Sequence, residues 1–231
     1  MSVTWTSLAP GVWRAAYTTP TGIPASSYAF TLADGSLAVM SPPCGLDDAG
    51  YAAVEGLGKV TALVVPNSGH DLGQAAWQQR YPDATPYGPA PAVAAIQKAK
   101  KGLRGFRPLE ELARLLPAGA RIVDVPGTRS GSAMVSVGDG SKRMLYVDEV
   151  LGNLPTLVGP PPFKLAFWLT GSGPGLSRNR VWTSIFAKDK RAVARTLLDE
   201  MSARPPTTIT FAHGEPLTDV AAAERLLRPI A

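Results

Sequence analysis

Cysteine is almost absent from this sequence, since Cys44 is the single thiol in 231 residues. One thiol cannot form an internal disulfide, so the disulfide-stapled scaffolds of small secreted proteins are excluded. The first residues also lack the basic start and the apolar run of a signal peptide, and no apolar stretch reaches the length of a membrane span. We therefore expect a cytoplasmic protein that does not associate with a membrane.

The sequence also lacks a strong excess of either charge. Its 23 lysines and arginines stand against 18 acidic residues, which gives a net charge of +5. The one basic cluster consists of Lys98, Lys100, Lys101, Arg104 and Arg107, and only one aromatic residue lies within it. Because nucleic-acid surfaces usually combine cations with several aromatic side chains, this cluster is typical of a solvated face and predicts no nucleic-acid partner.

Histidine is scarce as well, with only His70 and His213 in the chain. A serine-histidine-aspartate triad would have to use one of them, and no G-x-S-x-G elbow precedes a predicted helix. The glycine-rich run at residues 171–175 lacks the Lys-Ser/Thr pair of a phosphate-binding loop, so we interpret it as an ordinary loop. These absences argue against a serine hydrolase and against a P-loop nucleotide-binding protein.

What the sequence does contain is enough apolar residues, 45%, for a large buried core. Short β-rich runs alternate with amphipathic segments, which predicts a layered α/β fold in a single domain over residues 1–231. Strands are predicted at residues 12–18, 27–32, 36–40, 60–65, 121–125, 133–137, 143–147 and 207–212. Helices are predicted at residues 46–57, 72–80, 92–101, 109–115, 188–203 and 219–227. The Pro- and Gly-rich residues 157–174 carry several aromatic side chains and predict a packed connection.

Five segments of the chain resemble, in the same order, the metal-site segments of the metallo-β-lactamase superfamily. They are residues 34–42, 64–73, 125–132, 145–148 and 211–216. Together with Trp77 followed by Tyr81-Pro82, they are most similar to a divergent branch of that superfamily. The resemblance implies a four-layer αββα sandwich, in which two sheets share a core and helices cover them on both sides.

The sequence departs from the family at the metal ligands. Members of the family usually carry an HxHxDH motif, and at its four ligand positions this chain has Asn67, Gly69, Asp71 and Leu72. A further histidine of the family's first metal site is replaced by Thr128. Because asparagine, glycine and threonine are not strong zinc ligands, the comparison implies that a tri-histidine zinc site cannot form.

The family's second metal site is better preserved. Asp71, Asp148 and His213 stand at three of its four ligand positions, and Leu72 replaces the fourth. His70, beside Asp71, is the obvious substitute ligand. The resemblance therefore implies at most one divalent metal ion, Zn, Mn or Fe, held by Asp71, Asp148, His213 and His70, and a protein without metal is the alternative.

Each of these residues also has a purely structural interpretation. Asp71 precedes a predicted helix and is followed three residues later by Gln74, which is a capping-box pattern. In the same interpretation Asp148 ends a strand and binds nearby amides, and His213 is a buried, hydrogen-bonded turn residue. Cys44 is predicted to be a small buried hydrophobe rather than a nucleophile, because no histidine is close to it in sequence.

Two functions are consistent with a metallo-β-lactamase-like chain whose metal ligands are incomplete. The favoured one is a catalytically inactive hydrolase homologue with an eroded metal site, which binds a small molecule or a partner in the former active-site cleft. The alternative is a mononuclear metal-dependent hydrolase of an ester, amide or phosphoester that uses Asp71, Asp148 and His213. In both cases these three residues, Asn67 and Thr128 are predicted to line one cleft, while the substrate and the oligomeric state stay open.

Overall fold

A seven-stranded sheet forms the first half of the fold in the computed structural model, which describes residues 1–99, 103 and 105–231. Neighbours from the first to the fourth strand are antiparallel, and those from the fourth to the seventh are parallel. The strands predicted at residues 12–18, 27–32 and 36–40 lie in the antiparallel part of this sheet. The strands follow one another in chain order: β1 (Trp5–Ala9), β2 (Val12–Thr18), β3 (Pro24–Thr31), β4 (Leu37–Met40), β5 (Val60–Val64), β6 (Thr85–Gly88) and β7 (Arg107–Pro108).

A four-stranded sheet forms the second half. Its strand order is β13-β10-β9-β8, and β13 pairs in parallel with β10 whereas the other pairs are antiparallel. Two further strands, β11 and β12, pair only with each other in the sheets described. The bounds are β8 (Arg121–Asp124), β9 (Ala133–Gly138), β10 (Arg143–Tyr146), β11 (Leu151–Leu154), β12 (Gly175–Arg178) and β13 (Thr208–Thr210).

The helices of the described residues lie between these strands and after the last one. They are α1 (Asp48–Glu55), α2 (Gln74–Arg80), α3 (Ala90–Ala99), α4 (Leu109–Ala113), α5 (Pro161–Leu169), α6 (Arg180–Phe186), α7 (Lys190–Ala203) and α8 (Val220–Leu227). Helices α1, α6, α7 and α8 each begin after an Asp or Asn whose side chain accepts a hydrogen bond from the first turn. Within the described ranges, no helix has both the length and the apolar content that crossing a bilayer requires.

The main core lies between the two sheets. In β4, Ala38 and Met40 belong to this core, whereas Leu37 and Val39 pack on the opposite face of the sheet. Successive side chains of a strand point to opposite faces, so a strand that is covered on both sides reads as a continuous apolar run. Tyr28 of β3 meets a tyrosine of β10 across the core, with ring centroids 5.3 Å apart.

Helices cover the outer face of each sheet. Val54 of α1 and Trp77 of α2 pack on the outer side of the seven-stranded sheet. Leu197 of α7 and Leu227 of α8 pack in the same way on the four-stranded sheet. The layers are therefore α, β, β and α, which confirms the α/β sandwich that the resemblance implied.

The elements that the sequence analysis did not predict are short or rich in proline and glycine. They are β1, β6, β7, β11, β12, α5 and α6. Helix α5 lies inside residues 157–174, and its prolines stand in the first turn, where no backbone N–H is needed. The helix predicted at residues 92–101 is observed as α3, and the basic residues Lys100, Lys101 and Arg104 lie outside the described residues.

Candidate metal centre

The loops that follow four strands meet at one place. Ser41 follows β4, His70 lies in the loop after β5, Glu149 comes after β10, and His213 comes after β13. Strands β4 and β5 are parallel neighbours, as are β10 and β13, so in each sheet the two carboxyl ends lie side by side. The two sheets thus bring the only two imidazoles of the chain together, with ring centroids 5.1 Å apart.

Glu149 lies between the two histidines. Its Oε1 is 3.0 Å from Nε2 of His70 and 3.2 Å from Nε2 of His213. The three ligand atoms all lie within 4.8 Å of one another, and among the described residues they form the group suited to holding a metal ion. The His70 side chain is buried, while those of Glu149 and His213 are 15% and 20% exposed, so the cluster is open to solvent from one side.

The hydrogen bonds of His213 favour a positive charge at this site when Glu149 is ionised. Its Nδ1 lies 2.6 Å from the carbonyl oxygen of Pro24, which only accepts hydrogen bonds, so Nδ1 must carry a proton. Its Nε2 faces the Glu149 carboxylate, which also only accepts when ionised. Both contacts are favourable if His213 is an imidazolium, or if a cation lies between Nε2 and Glu149.

The contacts between Glu149 and the two imidazoles affect the pKa values of Glu149 and His213 more strongly than burial does. Burial lowers the pKa of His213, but the neighbouring Glu149 carboxylate raises it to a net value of about 9. Burial likewise raises the pKa of Glu149, yet the imidazoles of His213 and His70 hold it well below its usual range. Without a metal ion, the cluster at neutral pH therefore contains an ion pair between Glu149 and His213.

Neighbouring side chains and carbonyl groups orient the cluster. The Ser41 hydroxyl is 3.0 Å from Nδ1 of His70, on the side of the ring away from Glu149. Asn179 donates from Nδ2 to Oε2 of Glu149 at 3.1 Å. Metal-bound histidines usually donate their other ring N–H to a carbonyl or carboxylate, and the bond from His213 to Pro24 has this form. The donor set and its supports therefore fit one divalent ion.

Asp148 is next to Glu149 in the chain but has other partners. Its Oδ1 accepts hydrogen bonds from the Asn67 amide at 2.7 Å and from the Tyr146 hydroxyl at 2.9 Å. In the part of the chain that the structure describes, its buried Oδ2 has no hydrogen-bond partner within bonding geometry, and burial raises the pKa of Asp148 to about 6. The bond to Asn67 agrees with the strand-end interpretation, in which Asp148 binds a neighbouring amide.

Asp71 is buried and directly follows His70, so its segment lies on the same side of the molecule as His213. Within the described part of the chain, neither Asp71 nor Asp148 belongs to the group of mutually close metal-ligating atoms. Their role as metal ligands therefore stays a prediction. Helix α2 begins at Gln74 with Gly73 as its N-cap, so Asp71 does not hold the N-cap position that the capping-box interpretation gave it.

Two other residues singled out from the sequence, Thr128 and Cys44, are packed within the fold. Thr128 is buried in the loop after β8, and the carbonyl of Ser130 in that loop accepts a hydrogen bond from the N–H of Ser68, two residues before His70. Cys44 is half-buried against an apolar cluster, and burial raises the pKa of its thiol. Cys44 thus packs against apolar side chains but is only partly buried, and its role as a buried hydrophobe rather than a nucleophile stays a prediction.

Sequence reasoning missed Glu149. Its only signal was its position beside Asp148, the residue to which the family resemblance pointed. Asp148 has a φ of 52°, in the left-handed region that non-glycine residues rarely adopt. After this turn the two consecutive carboxylates reach different partners, so Asp148 binds Asn67 and Glu149 binds the histidines. No local pattern in the sequence indicates that backbone conformation.

A cavity of about 290 Å³ opens beside the cluster. Glu149, Asn179 and His213 form part of its lining. A small molecule in this cavity would contact Glu149 and His213 of the candidate metal centre. Most of the remaining wall is apolar and comes from β11, α5 and α6, with Leu151, Leu154, Phe163, Phe167, Trp182 and Ile185.

Solved structures with a similar fold cover the whole chain. A metallo-β-lactamase from Erythrobacter litoralis, with β-mercaptoethanol in its active site, has a TM-score of 0.66 at 16% identity, over 99% of this chain and 97% of that one. The metallo-β-lactamase FIM-1 from Pseudomonas aeruginosa, in its mono-zinc form, has a TM-score of 0.60 at 14% identity, over 99% and 96%. The metal-soaked Flv1 flavodiiron core from Synechocystis has 0.64 at 14% identity, and this chain spans 60% of its length.

No family model and no curated protein matches the sequence. The structural similarity extends over nearly all of both β-lactamase chains, although at most 16% of the residues are identical. Structural similarity at such low sequence identity defines the fold and leaves the activity open. The chain therefore has the metallo-β-lactamase fold, which confirms what the five sequence segments implied.

Proposed function

We propose that this protein is a hydrolase that binds one divalent metal ion through His70, Glu149 and His213 and cleaves an ester, amide or phosphoester. The observation that carries the proposal is the pair of acceptors around His213. The Pro24 carbonyl and the Glu149 carboxylate both face its ring nitrogens, so a positive charge is needed at Nε2. A metal ion would supply that charge while the imidazole itself stays neutral.

The donor set suits one ion and leaves room for a substrate. Two histidines and one carboxylate are the protein ligands of mononuclear zinc hydrolases and of non-haem iron enzymes, which keep their remaining positions open. The chain has two histidines in total, and both belong to this cluster. A second site that contains imidazole ligands is therefore excluded, and we expect close to one zinc, manganese or iron ion per chain.

When bound, a divalent ion polarises a carbonyl or phosphoryl oxygen and lowers the pKa of water. The protein's own groups would hold the site in the required form. Pro24 and Ser41 contact the Nδ1 atoms, so both Nε2 atoms face Glu149. Asn179 restrains the second carboxylate oxygen of Glu149. The apolar wall of the cavity would limit the access of bulk water to the reacting bond.

Metal binding is tested by thermal unfolding of chelator-treated protein supplied with Zn, Mn or Fe(II). A metal at about a hundred times its Kd stabilises the native state by about 2.7 kcal/mol, which raises Tm measurably. Glu149→Gln and His213→Gln should each remove this rise, because each substitution replaces one of three ligands. An unchanged Tm of the wild-type protein with all three metals would contradict the proposal.

Asp148→Asn is the matched control for Glu149→Gln. It replaces a neighbouring carboxylate and keeps an oxygen that accepts from Asn67 and Tyr146. If His70, Glu149 and His213 hold the ion, Asp148→Asn should retain most of the metal-induced rise in Tm. If instead Asp71, Asp148 and His213 hold it, the rise should disappear in Asp148→Asn and survive in Glu149→Gln.

Hydrolysis is tested with aryl esters, aryl amides and aryl phosphates on the metal-loaded protein. Turnover should disappear after chelation and return when the metal is restored, because the ion supplies the Lewis acid. Metal binding without turnover of any of the three substrate classes would count against an enzyme. In that case the inactive hydrolase homologue that the sequence analysis favoured becomes the better description.

A second candidate is a metal-free binding protein, and the hydrogen bonds of Glu149 favour it. Its two oxygens face donors on three side chains, His70, His213 and Asn179. With His213 protonated, the cluster satisfies its own charges without any metal ion. A Tm that no metal changes, together with retained binding of a small molecule in the cavity, would support this function.

A further inference from the structure

The cavity beside the candidate metal centre has one polar patch. Glu149, Asn179 and His213 line the cavity and are hydrogen-bonded to one another through the Glu149 carboxylate. Ser172 also lines it, but its hydroxyl is engaged by Thr170 and by the backbone N–H of Arg180. The rest of the lining is aliphatic, aromatic or glycine. A ligand therefore meets polar groups mainly where it meets the metal centre.

Among the described residues, no lysine or arginine lines this cavity. A neighbouring cavity of about 240 Å³ is lined by other residues of α6 and by three cations, Arg178, Arg180 and Lys190. An anionic group in the apolar part of the cavity, away from His213, would lose its hydration without gaining a lysine or arginine as partner. The Glu149 carboxylate would also repel it.

The mouth of the cavity is apolar as well. Ile185 of α6 and Phe163 of α5 both line the cavity, and they are 56% and 36% exposed to solvent. The Phe163 ring packs against that of Phe167, with centroids 4.3 Å apart. A nonpolar ligand would cover this exposed apolar surface, which water solvates poorly.

We propose that the substrate is an uncharged ester or amide whose apolar acyl or aryl group fills this cavity, an inference that rests on the proposed function. Its carbonyl group lies at the polar patch of Glu149, Asn179 and His213. Water adds to the carbonyl carbon and the C–O or C–N bond breaks, so the products are a carboxylic acid and an alcohol or amine. Phosphoesters are disfavoured, because no lysine or arginine of the described residues lines the cavity to bind the anionic oxygens that the metal centre leaves free.

The inference is tested with two fluorescent probes that share the same rings: phenylnaphthylamine, which is uncharged, and anilinonaphthalene sulfonate, which carries an anion. Phenylnaphthylamine should bind the wild-type protein, and Phe163→Asp should weaken its binding about tenfold or more by placing a carboxylate on the apolar wall. Leu165→Asp is the matched control, since Leu165 lies in the same helix, is 55% exposed and does not line the cavity. Ile185→Asp is a second wall variant, used if Phe163→Asp does not fold.

Equal binding of phenylnaphthylamine to the wild-type protein and to both wall variants would overturn the inference. Tighter binding of the sulfonate at the site that the wall variants weaken would do the same. The titrations are run before and after chelation, so their outcome is independent of the metal test. Lost metal binding with retained probe binding rejects the proposed hydrolase, and with it the substrate, but keeps the cavity as a site for apolar ligands. Retained metal binding without probe binding rejects the substrate class alone.

Discussion

Two residues at the candidate metal centre have a backbone conformation that is rare outside glycine. Ser41 and Asp148 both have a φ of 52°. Such residues cost about 1–3 kcal/mol each and persist where the surrounding contacts fix them. Ser41 contacts His70. The turn at Asp148 lets the Asp148 side chain reach Asn67 while that of Glu149 reaches His70. The strained residues therefore stand where the fold orients the proposed ligands.

Asn179 has two roles that a single substitution can separate. Its Oδ1 accepts from the N–H of Trp182 and caps α6, and its Nδ2 donates to Glu149. Serine is also a good N-cap but is too short to reach Glu149. We expect Asn179→Ser to lower the metal affinity about 10–100-fold, as for other outer-sphere partners, with little change in Tm of the metal-free protein.

Asn179→Ala is the control for this prediction. It should weaken metal binding to the same extent and also lower the free energy of unfolding by about 1 kcal/mol, because the cap is lost. Calorimetric metal titration and thermal unfolding separate the two effects. A metal affinity that is unchanged in Asn179→Ser would show that Asn179 does not position Glu149.

Among the elements, helix α2 begins at a position that only glycine can occupy. Gly73 is its N-cap, and a Cβ there would meet the carbonyl oxygens of Pro42 and Pro43. The same Pro43 carbonyl accepts the hydrogen bond of the Trp77 indole at 2.8 Å, and Trp77 is fully buried. Helix α2 therefore contacts the loop after β4 at two positions, Gly73 and Trp77.

Gly73→Ala should therefore lower the free energy of unfolding by about 1–3 kcal/mol, because rigid backbone atoms cannot move aside for the methyl group. Urea denaturation measures the effect. Gly140→Ala is the control, since no heavy atom lies near its Cβ position, and it should have little effect. Equal denaturation midpoints for the two variants would contradict this account of α2.

In the whole molecule, Tyr28 joins the two sheets. Its hydroxyl donates to the Phe211 carbonyl at 2.7 Å, and its ring packs against Tyr146. Tyr28→Phe would leave that buried carbonyl without this donor, which should cost about 1–3 kcal/mol of stability. In chemical denaturation we expect a lower midpoint and an unchanged m-value.

Tyr17→Phe is the matched control for the hydroxyl. Tyr17 is also buried, but its hydroxyl lies 3.5 Å from that of Ser41, at the limit of a hydrogen bond. We expect its loss to cost less than the loss of the Tyr28 hydroxyl. If the two substitutions destabilise the protein equally, the bond to Phe211 does not contribute to the contact between the sheets.

The elements that the sequence determined by itself are those with a strong apolar pattern. β4 is covered on both faces and therefore reads as an unbroken apolar run, β5 is apolar except at Thr61, and α7 alternates apolar and polar residues at the helical period. The order of these elements, with the five family-like segments, was sufficient to predict the four-layer fold. It was also sufficient to single out His70 and His213 as candidate ligands.

The tertiary structure alone decided which carboxylate joins them. Glu149 is 79 residues from His70 and 64 residues from His213, so their contact depends on how the two sheets pack. The choice of Glu149 over Asp148 depends on one left-handed residue, and the cavity depends on α5 and α6 in a Pro- and Gly-rich region. Local residue patterns encode periodicity, whereas these features come from long-range contacts that form only when the chain is packed.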